Sequence, residues 1–320
     1  MLFSKLASFL EKVPLPSCGL ALGLAALGNL LTRYLPFAHE LCGLAAFALI
    51  GLVSLKYILH PHYLRIDLEN SILASVAPTY FMTIMQLSGY ISPYFYEIAL
   101  GIWIAACISQ VLYMLWFAKN FIFKLRLAEV FPTYFIAFVG IIVASVTSVP
   151  FGLTALGEAI FLAGFILYIP AFVLVTYRFF KLEIPRAAEP LFCIYAAPMS
   201  LSLAGYLSVA QHPSIPFAIL LEVLAQVLLL VVLIRVPKLL RLDFYPSFAA
   251  MTFPFVISAI ALMKCIDLFS TLEFAYLSYL EGLLIIESLI AVLMVLFVLL
   301  KYLQFFASII GSSQEEVCTS

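Results

Sequence analysis

Charge is what this sequence lacks. Only 10% of its 320 residues are Asp, Glu, Lys or Arg, where a water-soluble domain carries about a quarter. With 65% hydrophobic residues and a mean hydropathy of +1.17, the chain has too little polar surface to be wetted by water. Lipid must be its solvent. A net charge of −1 excludes the clustered basic face that nucleic acid requires. Enzyme signatures are missing too: there is no Gly-rich phosphate loop, no HExxH pair and no nucleophile elbow, so neither catalysis nor a cofactor is expected. The six cysteines, Cys18, Cys42, Cys107, Cys193, Cys265 and Cys318, form no CxxC pair and read as small hydrophobes. His39, His60, His62 and His212 all fall at the edges of apolar segments. His60-Pro61-His62 alone is too sparse for a metal site.

What is abundant is long apolar sequence. Runs over 14–32, 37–59, 71–90, 94–117, 129–148, 154–179, 187–209, 214–235, 246–266 and 278–303 each approach the roughly 20 residues that a bilayer core requires. The expected fold is an all-α integral membrane protein of ten transmembrane helices. Short polar loops leave no room for a soluble domain. Residues 1–13 read as an amphipathic cytoplasmic start, 14–303 as one membrane domain and 304–320 as a cytoplasmic tail. Of the Lys and Arg residues, fourteen fall on the side of the two termini; only Arg33 and Lys264 fall on the other. Because basic residues are retained in the cytoplasm during insertion, both termini are expected inside a cell (inner or plasma) membrane.

The ten segments carry a repeat. Near the outer ends of the even-numbered segments stand Glu40, Glu97, Glu158, Glu222 and Glu281, one helix pair apart; they read as interfacial partners of helix N-termini. The odd-numbered segments carry a proline near each cytoplasmic end: Pro16, Pro78, Pro132, Pro198 and Pro246, with Thr79 and Thr133 directly after two of them. Self-similarity at a fixed period marks copies of one supersecondary unit, here a helical hairpin used five times with pseudo-fivefold symmetry. Odd segments are rich in Pro, Gly, Ser and Thr, residues tolerated at membrane depth where backbone is covered or lines a cavity. They are expected to form an inner ring around a central pore, with the even segments outside. For Gly19xxxGly23 alone, tight helix packing would suffice; five parallel repeats favour the ring.

Val13-Pro14-Leu15-Pro16 followed by Gly23-Leu24-Ala25-Ala26-Leu27, Ala197-Pro198 with Ala204-Gly205-Tyr206-Leu207-Ser208, and Thr252-Phe253-Pro254 resemble the first, seventh and ninth helices of the tellurite-resistance/dicarboxylate transporter family. That family includes TehA-like proteins and the plant slow-type anion channels. The similarity in helix order runs over about residues 13–303. It implies a homotrimer with one pore per subunit, passage of small inorganic or organic anions, and a phenylalanine of the ninth helix plugging the pore. Phe253, before Pro254, is the matching position, while Phe255 and Phe248 lie near enough that a one-turn shift would exchange them.

Anion passage also has a physical rationale. Without a deep fixed cation an ion binds weakly and leaves quickly, and Ser and Thr hydroxyls can donate to it. Glu287, deep in the tenth segment, points to two alternatives. One is proton coupling in an exporter of C4-dicarboxylates such as malate, of sulfite or of tellurite-like oxyanions. The other is plain packing or a subunit contact. A non-transporting scaffold is the third class, and the Pro-rich inner ring weighs against it.

Overall fold

The computed structural model describes residues 2–272 and 277–318. It is all-helical among those residues: α1 (Leu2–Glu11), α2 (Ser17–Leu31), α3 (Pro36–Leu59), α4 (Pro61–Glu69), α5 (Ser71–Val76), α6 (Thr79–Ile91), α7 (Tyr96–Phe117), α8 (Tyr134–Val139), α9 (Val143–Thr147), α10 (Thr154–Lys181), α11 (Ala197–Val209), α12 (Ile215–Leu239), α13 (Phe253–Ser270) and α14 (Leu277–Cys318). Seven segments among the described residues are long and apolar enough to cross a bilayer: Pro36–Leu59, Tyr96–Ile122, Thr154–Lys181, Arg186–Val209, Ile215–Leu239, Pro246–Ser270 and Leu277–Gly311.

The other three expected spans are short or broken, and the sequence shows why. At 15 residues, α2 reaches about 22 Å at 1.5 Å per residue. The 71–90 segment divides at Ala77-Pro78 into α5 and α6, because proline supplies no amide hydrogen to the preceding turn. The 129–148 segment divides at a 3₁₀ turn over Gly140–Ile142. Two of the seven also begin as 3₁₀ helix, over Arg186–Ala196 and Pro246–Met251, before α11 and α13 take over. Between α3 and α5 lies α4, a short helix that hydropathy does not reveal. It stops at Asn70, whose side-chain oxygen accepts from the Ile72 and Leu73 amides at 3.0 and 3.1 Å and so starts α5.

Burial separates the helices into two kinds. Over the most apolar stretch, 83% of residues are buried in Arg186–Val209 and in Pro246–Ser270, against 22–39% in the windows within α3, α7, α10, α12 and α14. Those less buried helices turn Phe47, Ile108, Ile166, Leu230 and Leu293 outward. Such a continuous apolar sheath is stable only against lipid. The broken helices lie inside it. α2 packs on α6, α6 on α9, α9 on α11, α11 on α13, and α13 returns to α2. Each sheath helix touches the broken helix before it and the one after it: α3 meets α2 and α6, α10 meets α9 and α11, α12 meets α11 and α13, and α14 meets α13 and α2.

Close approach inside the ring depends on glycine, as Gly23 shows. A β-carbon on Gly23 would lie 2.6 Å from both Cβ and Oγ1 of Thr252, so only a bare Cα lets α2 meet the start of α13. Ring hydroxyls bond back to their own helices: Thr83 Oγ1 donates to Thr79 O at 2.7 Å, Ser202 Oγ to Pro198 O at 2.7 Å and Ser258 Oγ to Pro254 O at 2.9 Å. The Ser200 and Ser258 hydroxyls also pair across α11 and α13 at 3.0 Å.

Candidate functional site

A cavity of about 320 Å³ lies among the broken helices. Its wall takes residues from α2, α5, α6, α8, α11 and α13 and from the two 3₁₀ lead-ins. Most are aliphatic, aromatic, proline or glycine; the polar side chains on the wall are Asn70, Thr79 and Ser247.

The sequence candidates divide on contact with this wall. Pro16, Pro198, Pro246, Pro254, Thr79 and Phe253 line it. Pro78, Pro132 and Thr133 lie off it: Pro78 is the cap residue of α6 and Thr133 that of α8, and Thr133 Oγ1 accepts from Ser75 Oγ at 2.6 Å, tying α8 to α5. Of the three neighbouring phenylalanines only Phe253 is on the wall. Phe248 points away from it, stacked on Phe297 of α14 at 6.1 Å and edge-on to Phe244 at 5.6 Å, and Phe255 is buried in packing.

Phe253 owes its place to a break in the chain. The 3₁₀ turn Pro246–Met251 ends at Thr252, whose hydroxyl donates to Ala249 O at 2.7 Å and has Gly19 O within reach at 3.2 Å. α13 then starts at Phe253 with Pro254 behind it. Proline suits a first helical turn, where its missing amide hydrogen would have no partner. Phe253 as a whole is 6% exposed.

The hydroxyls on the wall do not offer hydrogens to the cavity, contrary to expectation. Thr79 Oγ1 donates to Val76 O at 2.8 Å and Ser247 Oγ donates to Ala187 O at 2.5 Å. A hydroxyl has one hydrogen, and here the nearby backbone takes it.

Glu287 is buried but sits away from the cavity. Gln226 Nε2 donates to Glu287 Oε1 at 2.8 Å and to Glu222 Oε1 at 2.7 Å, so one amide bridges two buried carboxyls between α12 and α14. The Cys265 thiol of α13 lies 3.9 Å from Glu222 Oε2. Glu222 therefore departs from its interfacial reading, whereas Glu40, Glu97, Glu158 and Glu281 are exposed. Sequence reasoning passed over Gln110 of α7, which is fully buried beside the wall residue Gly140. An isolated amide inside an otherwise apolar outer segment was the available signal.

Broken inner helices around an apolar cavity, inside a lipid-facing sheath, are the architecture of a multi-pass membrane transport protein. The chain belongs to the voltage-dependent anion channel (SLAC1) family, whose family model matches residues 13–303. It is a membrane anion channel of that family and not an enzyme. A comparison with curated proteins returns no match.

Proposed function

We propose that small anions cross the membrane along the axis of the broken-helix ring, and that Phe253 is the gate. In this reading the chain makes ten crossings as five hairpins, each pairing one inner helix with the sheath helix that follows it, about a pseudo-fivefold axis. What supports this is the closed order of contacts α2, α6, α9, α11, α13, together with the proline that opens each inner segment. The fourteen-to-two division of basic residues supports cytoplasmic termini. The family resemblance supports a homotrimer with one pathway per subunit.

The observation that carries the gate is the position of Phe253 on the wall of a cavity almost bare of polar groups. A phenyl ring across such a passage closes it by excluding water, and a dewetted constriction blocks ions without a charged barrier. Rotation of the ring is the opening step.

One observation favours coupled carriage of dicarboxylates or oxyanions instead. Glu222 and Glu287 are buried at membrane depth around a shared amide, and intramembrane carboxyls often serve proton relays. The site lies between α12 and α14, off the proposed axis, which favours packing over coupling. Purified protein in liposomes separates the two readings. For a channel, chloride and nitrate flux persists without a proton gradient and Glu287→Gln leaves it within about twofold, since the residue never meets the ion. Flux that requires a proton gradient and disappears in Glu287→Gln establishes the carrier.

A further inference from the structure

Gln110 has no assigned role, yet its surroundings are unusual. It projects from the sheath helix α7 toward the break between α8 and α9, with 0% exposure, and neither Nε2 nor Oε1 has a hydrogen-bond partner within the described protein. Buried amides are nearly always paired, because an unmade bond forfeits what water would have supplied. Such an exception calls for a ligand.

The neighbouring residue on the cavity side is Gly140. A β-carbon built there would lie 3.6 Å from Gln110 Nε2 and 2.7 Å from Met82 Sδ. Gly140 and Met82 both line the cavity, and Gly140 opens the 3₁₀ turn that interrupts the helix. The β-position of Gly140 thus faces both the flexible Met82 thioether and the Gln110 amide, and these two wall residues are what stand between the amide and the cavity. Donors elsewhere on the wall are scarce. Thr79 and Ser247 have committed their hydrogens to backbone, which leaves the amide of Asn70, an exposed residue between α4 and α5 whose oxygen caps α5, as the other side-chain donor on the wall.

We infer that the Gln110 carboxamide is the anion-coordinating donor of the pathway. Its N–H₂ group meets a halide or a small oxyanion through the gap at Gly140 when the Met82 thioether and the Phe253 ring swing aside. A neutral amide suits conduction, because it strips part of the ion's hydration without the deep well that a lysine would make. The inference deepens the channel reading above by naming the ligand class and the group that selects it.

Two measurements in the Phe253→Ala background test it. Gln110→Leu is expected to lower chloride conductance about three- to tenfold, the loss of one hydrogen bond, and to change the nitrate-to-chloride permeability ratio. Gln110→Met, unbranched and of similar length, replaces it if the leucine variant fails to reach the membrane. In parallel, nitrate is expected to raise the unfolding temperature of purified Phe253→Ala protein, and this stabilisation should vanish with Gln110→Leu. A purely structural amide would alter protein yield and basal unfolding temperature while leaving the permeability ratio and the nitrate effect intact, and that result overturns the assignment. If Phe253→Ala is silent but nitrate stabilisation still depends on Gln110, the anion contact stands and the channel reading falls.

Discussion

Phe253→Ala should open the protein. Removing the phenyl ring takes away the one bulky aromatic that α13 presents to the cavity at its first residue, and alanine leaves a gap that water can fill. A wetted passage no longer charges an ion its full dehydration cost. Chloride current in oocytes or planar bilayers is expected to rise about tenfold or more over wild type, since each 1.4 kcal/mol removed from a barrier is worth a factor of ten. Phe248→Ala serves as the control. Its ring packs between Phe244 and Phe297, so truncation costs about 3–5 kcal/mol of stability by cavity formation without opening anything. Current that rises equally in the two variants would point to a leak through loosened packing instead of a gate.

The second large effect concerns stability. Lys56, near the end of α3, is 4% exposed. Its Nζ donates to Val13 O at 2.9 Å and to Asp67 Oδ2 at 3.2 Å, and the Tyr57 hydroxyl donates to the same carboxylate oxygen at 2.8 Å. The rings of Tyr57 and Tyr63 lie 5.3 and 5.4 Å from the ammonium. One cation thereby ties the approach to α2 and the short helix α4 to the sheath. Lys56→Met leaves the partly buried Asp67 carboxylate with the Tyr57 hydroxyl alone and frees the Val13 carbonyl, and is expected to cost about 1–3 kcal/mol. Thermal unfolding in detergent reads this loss. Combining it with Asp67→Asn should recover a substantial part, because the unpaired charge is then gone. A double variant no more stable than Lys56→Met would show that the ion pair is not what holds these segments.

Hydropathy located the sheath helices closely: α3, α7, α10 and α12 start and stop within a few residues of the apolar runs, since lipid imposes both length and composition on them. It described the inner helices less well. Proline and glycine at Pro78, Gly140 and Pro246 announced irregular backbone, but whether such a residue bends, caps or interrupts a helix depends on what covers it. The helix α4 was invisible to a hydropathy reading because it is polar and runs between spans. At the site, the Thr252-Phe253-Pro254 motif left three phenylalanines open, and of these Phe253 alone is on the cavity wall. The hydroxyls of Thr79 and Ser247 were legible as polar groups, but which acceptor takes the single hydrogen of each is a matter of backbone geometry. Glu222 and Gln110 were missed for a related reason. The first looked like one of five equivalent glutamates, and only tertiary packing turns it toward Gln226. The second has no repeat partner at all.

The central claim, that anions pass inside the ring, is tested most directly by blocking the ring from within. In the Phe253→Ala background, Leu201→Cys places a thiol on the cavity wall, while Leu230→Cys places one on the exposed face of α12. A charged, membrane-impermeant thiol reagent should abolish most of the current through the Leu201→Cys protein and leave the Leu230→Cys current unchanged. Current that survives modification of Leu201→Cys, with labelling confirmed by mass, would place the anion pathway outside the ring and contradict the account.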